Sequence, residues 1–577
     1  MRKLLKFLKP YRWLVACAIL LIAVESGAVL YLPVIMADIV NNGIIRGVVE
    51  GVPQQAYILQ RGAFMLVIAL GSGAAAVAGG YLVPRIAAGF AKDLRREIFV
   101  KVESFSQKEF DSFSASSLIT RCTNDVAQVQ NLIGMSTRML FFAPIMGIGG
   151  IIMALNQSVS MSWIIALAVI VLFAFVGTII PIVMPRFRIM QGLMDRLNKV
   201  SREMLHGLMV IRAFNAQKHE MKRFDDVNTE IFDISLFLAR VMGIAMPTMS
   251  LIMSGTQILV VWVGAHHIAA SNLQIGDMMA FMQYALGVIF AFMMITMLFV
   301  MIPRALVSAG RIAEVLDTEP SITDPSQDVG FTNEKGTVVF DDVSFSYPNA
   351  EAKALSGISF TAKPGQTTAI IGPTGSGKTT IAQLLLRLYD VSGGSVKVNG
   401  ADIREVTQKN LREKVGYVPQ KGQLISGTIA SNIKYGRPDA DDEEVKKVAE
   451  VAQALSFIEE KEEGFEAEIG QKGGNVSGGQ RQRLSIARAL AKKPDILVFD
   501  DSFSALDFQT DLKLRQALKS HAADSTLIII AQRVGTIMNA EQILVLEEGR
   551  IVGRGTHAEL LKNCLAYKEI ASSQGVE

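Results

Sequence analysis

Only three cysteines stand in the 577 residues, Cys17, Cys122 and Cys564, far from one another in sequence. That excludes a disulfide framework and leaves no pair at the spacing of a zinc site. Charge is scarce as well: Asp, Glu, Lys and Arg make up 19% of the chain, against about 25% in an average soluble protein. The net charge of +3 is too small to argue for a nucleic-acid partner, which a strongly basic surface would suggest. An ordinary soluble enzyme is therefore a poor description of the whole chain.

What the chain has instead is long apolar runs. Half of the residues are hydrophobic and the mean hydropathy is +0.34. The excess lies in residues 14–303, which hold six apolar segments, whereas residues 335–577 have the mixed composition of a soluble α/β domain. The first run, 14–36, follows a basic stretch of Arg2, Lys3, Lys6, Lys9 and Arg12, as in a signal peptide. It is longer than the roughly 7–15 residues of a signal core and shows no small-residue cleavage site, so it reads as a retained span. Further spans are expected at 62–82, 139–155, 163–184, 241–264 and 278–302, each approaching or exceeding the roughly 20 residues that cross a bilayer.

The loops set an expected orientation. Eight Lys or Arg lie in 85–138, between the second and third spans, and ten in 186–240, between the fourth and fifth. On the other side there are only Arg46 and Arg61 in the first loop, and none in 156–161 or 265–277. The positive-inside rule places the N-terminus, both long basic loops and the C-terminal domain in the cytoplasm. The two loops read as polar helical extensions of the spans, and tips at 111–117 and 207–214 are candidates for transmitting motion from a cytoplasmic motor. Within the first span, Glu25 is an intramembrane carboxylate, by default a functional residue, or else one facing a wet vestibule at the end of a span. As a free carboxylate lining a cavity it would favour cations. The sixth span is rich in methionine, including Met282, Met293 and Met297. Such a density is either ordinary apolar packing or the wall of a promiscuous pocket, because the side chain is flexible and polarisable.

The C-terminal part is organised around residues 372–380, GPTGSGKTT, which fit the phosphate-loop pattern. The apolar run 367–371 before it reads as a buried strand, and helical spacing follows it, the context that the pattern requires. Gly372, Gly375 and Gly377, with Pro373, Thr374 and Ser376 between them and Thr380 closing the stretch, let backbone N–H groups and a helix N-terminus cradle phosphates. Lys378 would reach the β- and γ-phosphates, and Thr379 would place its hydroxyl on Mg²⁺. Residues 496–500, ILVFD, read as an apolar strand ending in Asp500, the acid that such a loop needs to hold Mg²⁺. Residues 475–483, NVSGGQRQR, open a helix and form a second anion cradle, which makes sense if it closes on a nucleotide held by a neighbour.

Lys378 in its motif, Gln420, the SGGQ of Ser477, Gly478, Gly479 and Gln480, Asp500, and SALD ending at Asp507 stand in one order. That order resembles the nucleotide-binding domains of ATP-binding cassette (ABC) proteins, and six spans before one cassette resemble an ABC exporter half-transporter. The resemblance implies a membrane α-helical domain of six transmembrane helices with long cytoplasmic extensions, residues 1–316. A linker, 317–335, then leads to an α/β P-loop NTPase cassette, 336–577. It also implies ATP and Mg²⁺ as cofactors, with Gln420 joining Thr379 and Asp500 at the metal and Tyr347 stacking on adenine. Two halves would pair, sandwiching two ATP molecules between the Walker motifs of one cassette and the SGGQ of the other.

Besides Val476, which stands where the signature usually has leucine, two positions in the hydrolytic site depart from the family. The glutamate usual after the Walker B aspartate is Asp501, whose carboxylate is pulled back by about 1.5 Å, one C–C bond. The switch histidine is Gln532, which can hydrogen-bond a γ-phosphate but cannot titrate. The signature, by contrast, keeps its serine and both glycines. The expectation is a heterodimer, similar to the degenerate-site subunit of bacterial heterodimeric multidrug exporters, whose partner supplies a glutamate and a histidine opposite this SGGQ. The cargo expected is a small lipophilic or amphipathic compound moved out of the cytoplasm or inner leaflet of a bacterial cell membrane by alternating access. A lipid or peptide exporter is the alternative within the fold; no peptidase domain precedes residue 14. A nucleotide-gated regulator or channel subunit is the alternative of another class, and no regulatory insertion is visible between linker and cassette.

Overall fold

A computed structural model describes residues 3–49, 54–332, 334–348 and 350–576, with the side chains of Phe299 and Val300 left aside. Arg2 of the basic N-terminal stretch lies outside the described residues. The chain divides into two compact units, one of Met1–Glu103 with Ser116–Thr318, the other of Ser104–Ala115 with Glu319–Glu577.

Among the described residues, the first unit holds six helices long and apolar enough to cross a membrane. Their principal stretches are Arg12–Asp38, Gln55–Glu103, Val126–Gln157, Ser162–His206, Gln217–Ala269 and Ile275–Asp317. All but the first run well past the apolar segments read from the sequence, because the polar loop residues continue the same backbone hydrogen-bond ladder. A spanning helix satisfies its own N–H and C=O groups, the requirement that hydrocarbon imposes. Each of the six carries at least one internal proline, such as Pro33, Pro84 and Pro303, as membrane helices tolerate. In the first helix the buried residues Ala18, Ile22, Glu25, Ser26 and Leu30 follow one face, so Glu25 points inward. The loop tips fold as two short helices, Gln107–Phe113 and Leu208–Ala213. The second buries none of its residues.

Among the described residues, the second unit contains three sheets. The strands are β1 (Val338–Phe345), β2 (Leu355–Ala362), β3 (Thr367–Ile371), β4 (Gly393–Val398), β5 (Ala401–Asp402) and β6 (Val415–Val418). They continue as β7 (Gly427–Thr428), β8 (Glu468–Ile469), β9 (Ile496–Asp500), β10 (Thr526–Ile530), β11 (Gln542–Glu547) and β12 (Arg550–Gly555). A six-stranded sheet has the order β12-β11-β3-β10-β9-β6, beside an antiparallel one of order β2-β1-β4-β5 and the pair β7-β8. From β11 to β6 every pairing is parallel. β9 and β10 are buried along their whole length, which is why ILVFD and TLIII are continuous apolar runs rather than alternating ones. The carboxyl ends of parallel strands are where α/β sheets bind ligands, and β3, β9 and β10 all end at one edge: Ile530 pairs with both Ile370 and Asp500.

The stretch expected as a linker lies along this unit. Asp324 accepts from Gln408, Asp328 accepts from Thr407 and Asn410, and the Thr332 N–H donates to the Asn399 carbonyl. The first loop tip belongs to the same unit: the Tyr389 hydroxyl donates to Asp111 at 2.9 Å, and Ser106 lies 2.8 Å from Ser321, oxygen to oxygen.

Candidate functional site

β3 ends at Ile371 and a helix begins at Lys378, with Gly377 as its N-cap at φ 96°. A side chain would be strained at that φ, and a Cβ there would lie 2.6 Å from Leu355. A Cβ on Gly372 would come within 2.1 Å of the Leu546 carbonyl oxygen. The loop therefore closes only with glycine at these two places. Lys378, 9% exposed, folds back so that its ammonium donates to the Gly372 and Pro373 carbonyls at 2.8 Å each. Burial pushes its pKa down, against the pull of Asp501 and Asp500.

The Thr379 hydroxyl donates to one oxygen of Asp500 at 3.0 Å, and the Tyr417 hydroxyl donates to the other at 3.3 Å. Asp501, 7% exposed, adopts φ 48°, and its N–H donates to the Ile530 carbonyl across the strand ends. One oxygen of its carboxylate, Oδ2, accepts from both Gln420 Nε2 at 3.0 Å and Gln532 Nε2 at 2.9 Å. Burial raises the pKa of both carboxyls; the hydrogen bonds from Thr379 and Tyr417 oppose this at Asp500, as does that from Gln420 at Asp501.

These groups line one cavity of about 300 Å³, which brings together Tyr347, Thr374, Gly375, Gly377, Lys378, Thr379, Thr380, Gln420, Asp500, Asp501 and Gln532. The Tyr347 hydroxyl is within 2.9 Å of the Thr380 hydroxyl and donates to Gln383, while Phe345 and Tyr389 pack edge-on against the ring. The other expected residues lie outside this cavity. Ser477 caps the helix Gly478–Ala491 through a reciprocal box with Gln480. Ser477 and Gly478 are exposed, and Gly479 is half-buried. Asp507 is exposed and caps the helix Phe508–His521.

A nucleoside triphosphate with Mg²⁺ fits the residues present. The Ser376 hydroxyl is buried without a partner among the described residues, at the place where a phosphate oxygen would accept from it. Lys378 holds its charge on backbone carbonyls that phosphates would replace. Asp500 and Thr379 offer hard oxygen donors of the kind Mg²⁺ takes.

In the first unit, Glu25 accepts from Arg138 at 2.8 Å. With Met297 they line an apolar cavity of about 370 Å³. Met282 and Met293 do not line it: Met282 packs on the cluster around Leu30 and Phe281, Met293 on that around Leu172 and Ile289. Arg138, counted above as a loop cation, sits inside the helix Val126–Gln157 and donates to Glu25. The sequence reading missed its pairing, and it missed Tyr417 and Gln574. The Gln574 side chain brackets the segment after β10, accepting from Val534 N–H and donating to the Gln532 carbonyl, both at 2.8 Å. No spacing signal joins residues 42 positions apart.

Fold and site together define a multi-pass membrane protein with a phosphate-binding cassette. Residues 15–293 match the family model of the ABC transporter transmembrane region, and residues 355–504 match that of the ABC transporter. The chain is 39% identical over 573 residues to an uncharacterised ABC transporter ATP-binding protein of Mycobacterium tuberculosis (strain CDC 1551 / Oshkosh), covering 99% of this chain and 97% of that one. It is 31% identical over 583 residues to the ATP-dependent lipid A-core flippase of Haemophilus ducreyi, covering 99% and 97%. A solved bacterial Atm1-family ABC exporter with ATP bound matches at a TM-score of 0.78 and 27% identity, covering 98% and 99%. The chain belongs to the ABC transporters, as an ATP-driven exporter that carries its transmembrane and ATP-binding regions in one polypeptide.

Proposed function

We propose that this chain is the hydrolysis-impaired half of a heterodimeric exporter in a bacterial inner membrane, with its N-terminus and cassette in the cytoplasm. In this reading residues 1–316 carry the cargo path, 317–335 the link and 336–577 the cassette. Lys378 and the N–H groups of 372–380 hold the nucleotide's phosphates, Tyr347 lies under the base, and Thr379, Gln420 and Asp500 hold Mg²⁺. Ser477 to Gln480, with Asp507 beside them, serve the site of the partner half, which brings a glutamate and a histidine to face them. Bound ATP supplies the adhesion that closes the two cassettes and the bond whose cleavage releases them.

The observation that carries this reading is the double tether on Asp501. A water-orienting base needs a lone pair aimed at the nucleophile; here Oδ2 takes two amide donors, Gln420 and Gln532, which fix the carboxylate and leave Oδ1 to address a water. Asp501 is thus too short by a methylene and also engaged by the residue in the switch position. Pairing with a second half is supported by the exposed apolar tip of the second loop, Leu208, Met209, Val210 and Phe214, a patch that another subunit would cover. The cargo is lipophilic or amphipathic. A lipid cargo is the second reading, favoured by the relative named as a lipid A-core flippase.

The test uses the purified complex of this chain with its partner. Replacing the partner's catalytic glutamate is expected to remove nearly all ATPase, and Asp501→Asn to leave most of it. Equal losses would reject the asymmetry, as would brisk ATPase and transport by this chain expressed alone.

A further inference from the structure

The cavity in the first unit is distinct from the nucleotide site and has a specific chemical character. Its volume of about 370 Å³ falls in the range of small-molecule pockets, roughly 300–1,000 Å³. The wall is apolar, with Met135, Met139, Met294 and Met297 on two helices and the open backbone of Gly79 and Gly80 on a third. Among the described residues lining it, only Glu25 and Arg138 are charged. They face each other at 2.8 Å, but they are not equally presented: the Glu25 side chain is 10% exposed and that of Arg138 is 53%.

That asymmetry decides which pole a ligand meets. A lone carboxylate between spanning helices is costly, and Glu25 is satisfied by the guanidinium beside it. A guanidinium carries five N–H donors in a fixed fork, and its contact with Glu25 uses one amino group, Nη2. The remaining donors belong to a side chain that is half-exposed and whose planar group also lies 5.7 Å from the Phe142 ring. A cation entering the cavity would meet Arg138 before Glu25 and be repelled. An anion would find donors already oriented, in surroundings of low dielectric where charge-assisted hydrogen bonds are strong.

The geometry points to this cavity as the receiving site for a lipophilic anion, an apolar body bearing one carboxylate, sulfonate or phosphate group. Arg138 is its recognition group, and Glu25 is the counter-charge that holds the guanidinium in place. This assignment rests on the exporter reading and narrows its substrate class. The apolar body would occupy the methionine wall, whose flexible side chains repack around different shapes.

The test is binding by the purified complex in lipid nanodiscs without nucleotide, using a fluorescent dodecanoate, a fluorescent phosphatidylglycerol, a lipophilic dye cation and a neutral dye. Arg138→Gln alone would leave Glu25 unpaired and could fail to fold, so the variants are Glu25→Gln, the double Glu25→Gln/Arg138→Gln, and Gly80→Phe. A Cβ on Gly80 meets nothing within 4 Å, so the last fills the cavity with both charges intact. Glu25→Gln should hold or tighten binding of the anions. The double variant should weaken it about tenfold or more, the equivalent of one lost charge-assisted bond, with little change for the neutral dye. Gly80→Phe should weaken the anions and the neutral dye alike. Binding of the dodecanoate assigns a free lipophilic acid, and binding of the phosphatidylglycerol alone assigns a lipid headgroup; either supports the site. Anion binding unchanged in the double variant overturns it, as does a dye cation that binds the parent and is lost with Glu25→Gln. ATP-driven uptake of the neutral dye into proteoliposomes is read separately: if no probe moves, the exporter reading fails while the binding result still stands on its own.

Discussion

The cassette presents two phosphate-facing regions built in opposite ways. On the side of Lys378 the groups are buried and mutually engaged, with ammonium on carbonyls, hydroxyls on Asp500 and amides on Asp501. On the side of Ser477 the glycines open the helix Gly478–Ala491 at an exposed surface, where Ser477 and Gln480 cap that helix on itself. In the proposed reading the first region holds a ligand that belongs to this chain, and the second, an exposed helix N-terminus, is completed by something brought to it. Losing a carboxylate's reach on the first side and keeping both glycines on the second is what divided labour between two subunits requires.

The sharpest way to break that contrast is at Gly478. A Cβ there meets only Arg481 Nη2 at 4.0 Å, and an acidic residue in a first helical turn favours the helix, so Gly478→Asp should fold. It places a negative charge where the partner's γ-phosphate would lie. ATPase of the complex is expected to fall by about 100-fold or more, the scale of losing preorganised anion-binding donors. A loss no larger than that from Asp501→Asn would mean that turnover does not depend on this surface.

Lys378→Ala should act on the other side and be milder for turnover. It removes charge-assisted bonds worth about 1.5–3 kcal/mol, so nucleotide retained at this chain's own site should weaken by about 10- to 100-fold. ATPase should drop less than with Gly478→Asp. Nucleotide trapping followed by filtration measures the first quantity and phosphate release the second.

A third difference can be read from pH. Burial raises the pKa of Asp501 above its ordinary 3.8, so the folded state holds the proton to higher pH than the unfolded chain. Such a group stabilises folding below the ordinary value, and this contribution is lost as pH rises through the raised one. At neutral pH it is therefore a liability that Asp501→Asn removes, while Asn can still accept from Gln420 and Gln532. Nucleotide-free protein carrying that change should melt higher than the parent at pH 7, and the gap should close on acidification toward pH 4. A constant gap would assign the gain to something other than the proton.

How much of this was legible depended on whether the chemistry lay close along the chain. The loop 372–380 with its flanking strand and helix could be read from nine adjacent residues, because the phosphate cradle is local geometry. Asp500 could be read because a buried parallel strand is a continuous apolar run and an acid at its end stands out. Gln420, Asp501 and Gln532 lie on three separate strand ends, and only the family resemblance grouped them; their shared hydrogen bonds come from the register of β9 and β10. The pairing of Glu25 with Arg138 spans 113 positions. Composition placed Arg138 among the loop charges, because the helix Val126–Gln157 begins well before the apolar run within it. Tyr417 was passed over since an aromatic residue in a short apolar strand is normally core. Only the parallel pairing of β6 with β9 brings its hydroxyl to Asp500.

Tyr417 gives the smallest test, and it separates the two neighbouring carboxylates. Its hydroxyl donates to Asp500 at 3.3 Å, so Tyr417→Phe removes one long hydrogen bond from the first acid. A loss of about 0.5 kcal/mol corresponds to roughly a two- to threefold change in Mg²⁺-dependent nucleotide affinity. The direction with pH is more telling than the size. That hydrogen bond holds the Asp500 pKa down against the burial that raises it. Without it Asp500 keeps its proton to higher pH, and the acid limb of Mg²⁺-dependent binding should move upward. The stability gap created by Asp501→Asn should change little in the Phe background, because the lost hydroxyl bonds Asp500 and reaches Asp501 only through the charge that the two acids and Lys378 share. If the acid limb stayed in place while that gap changed, the hydroxyl would be acting on Asp501, and the division between a metal-facing acid and a tethered one would have to be redrawn.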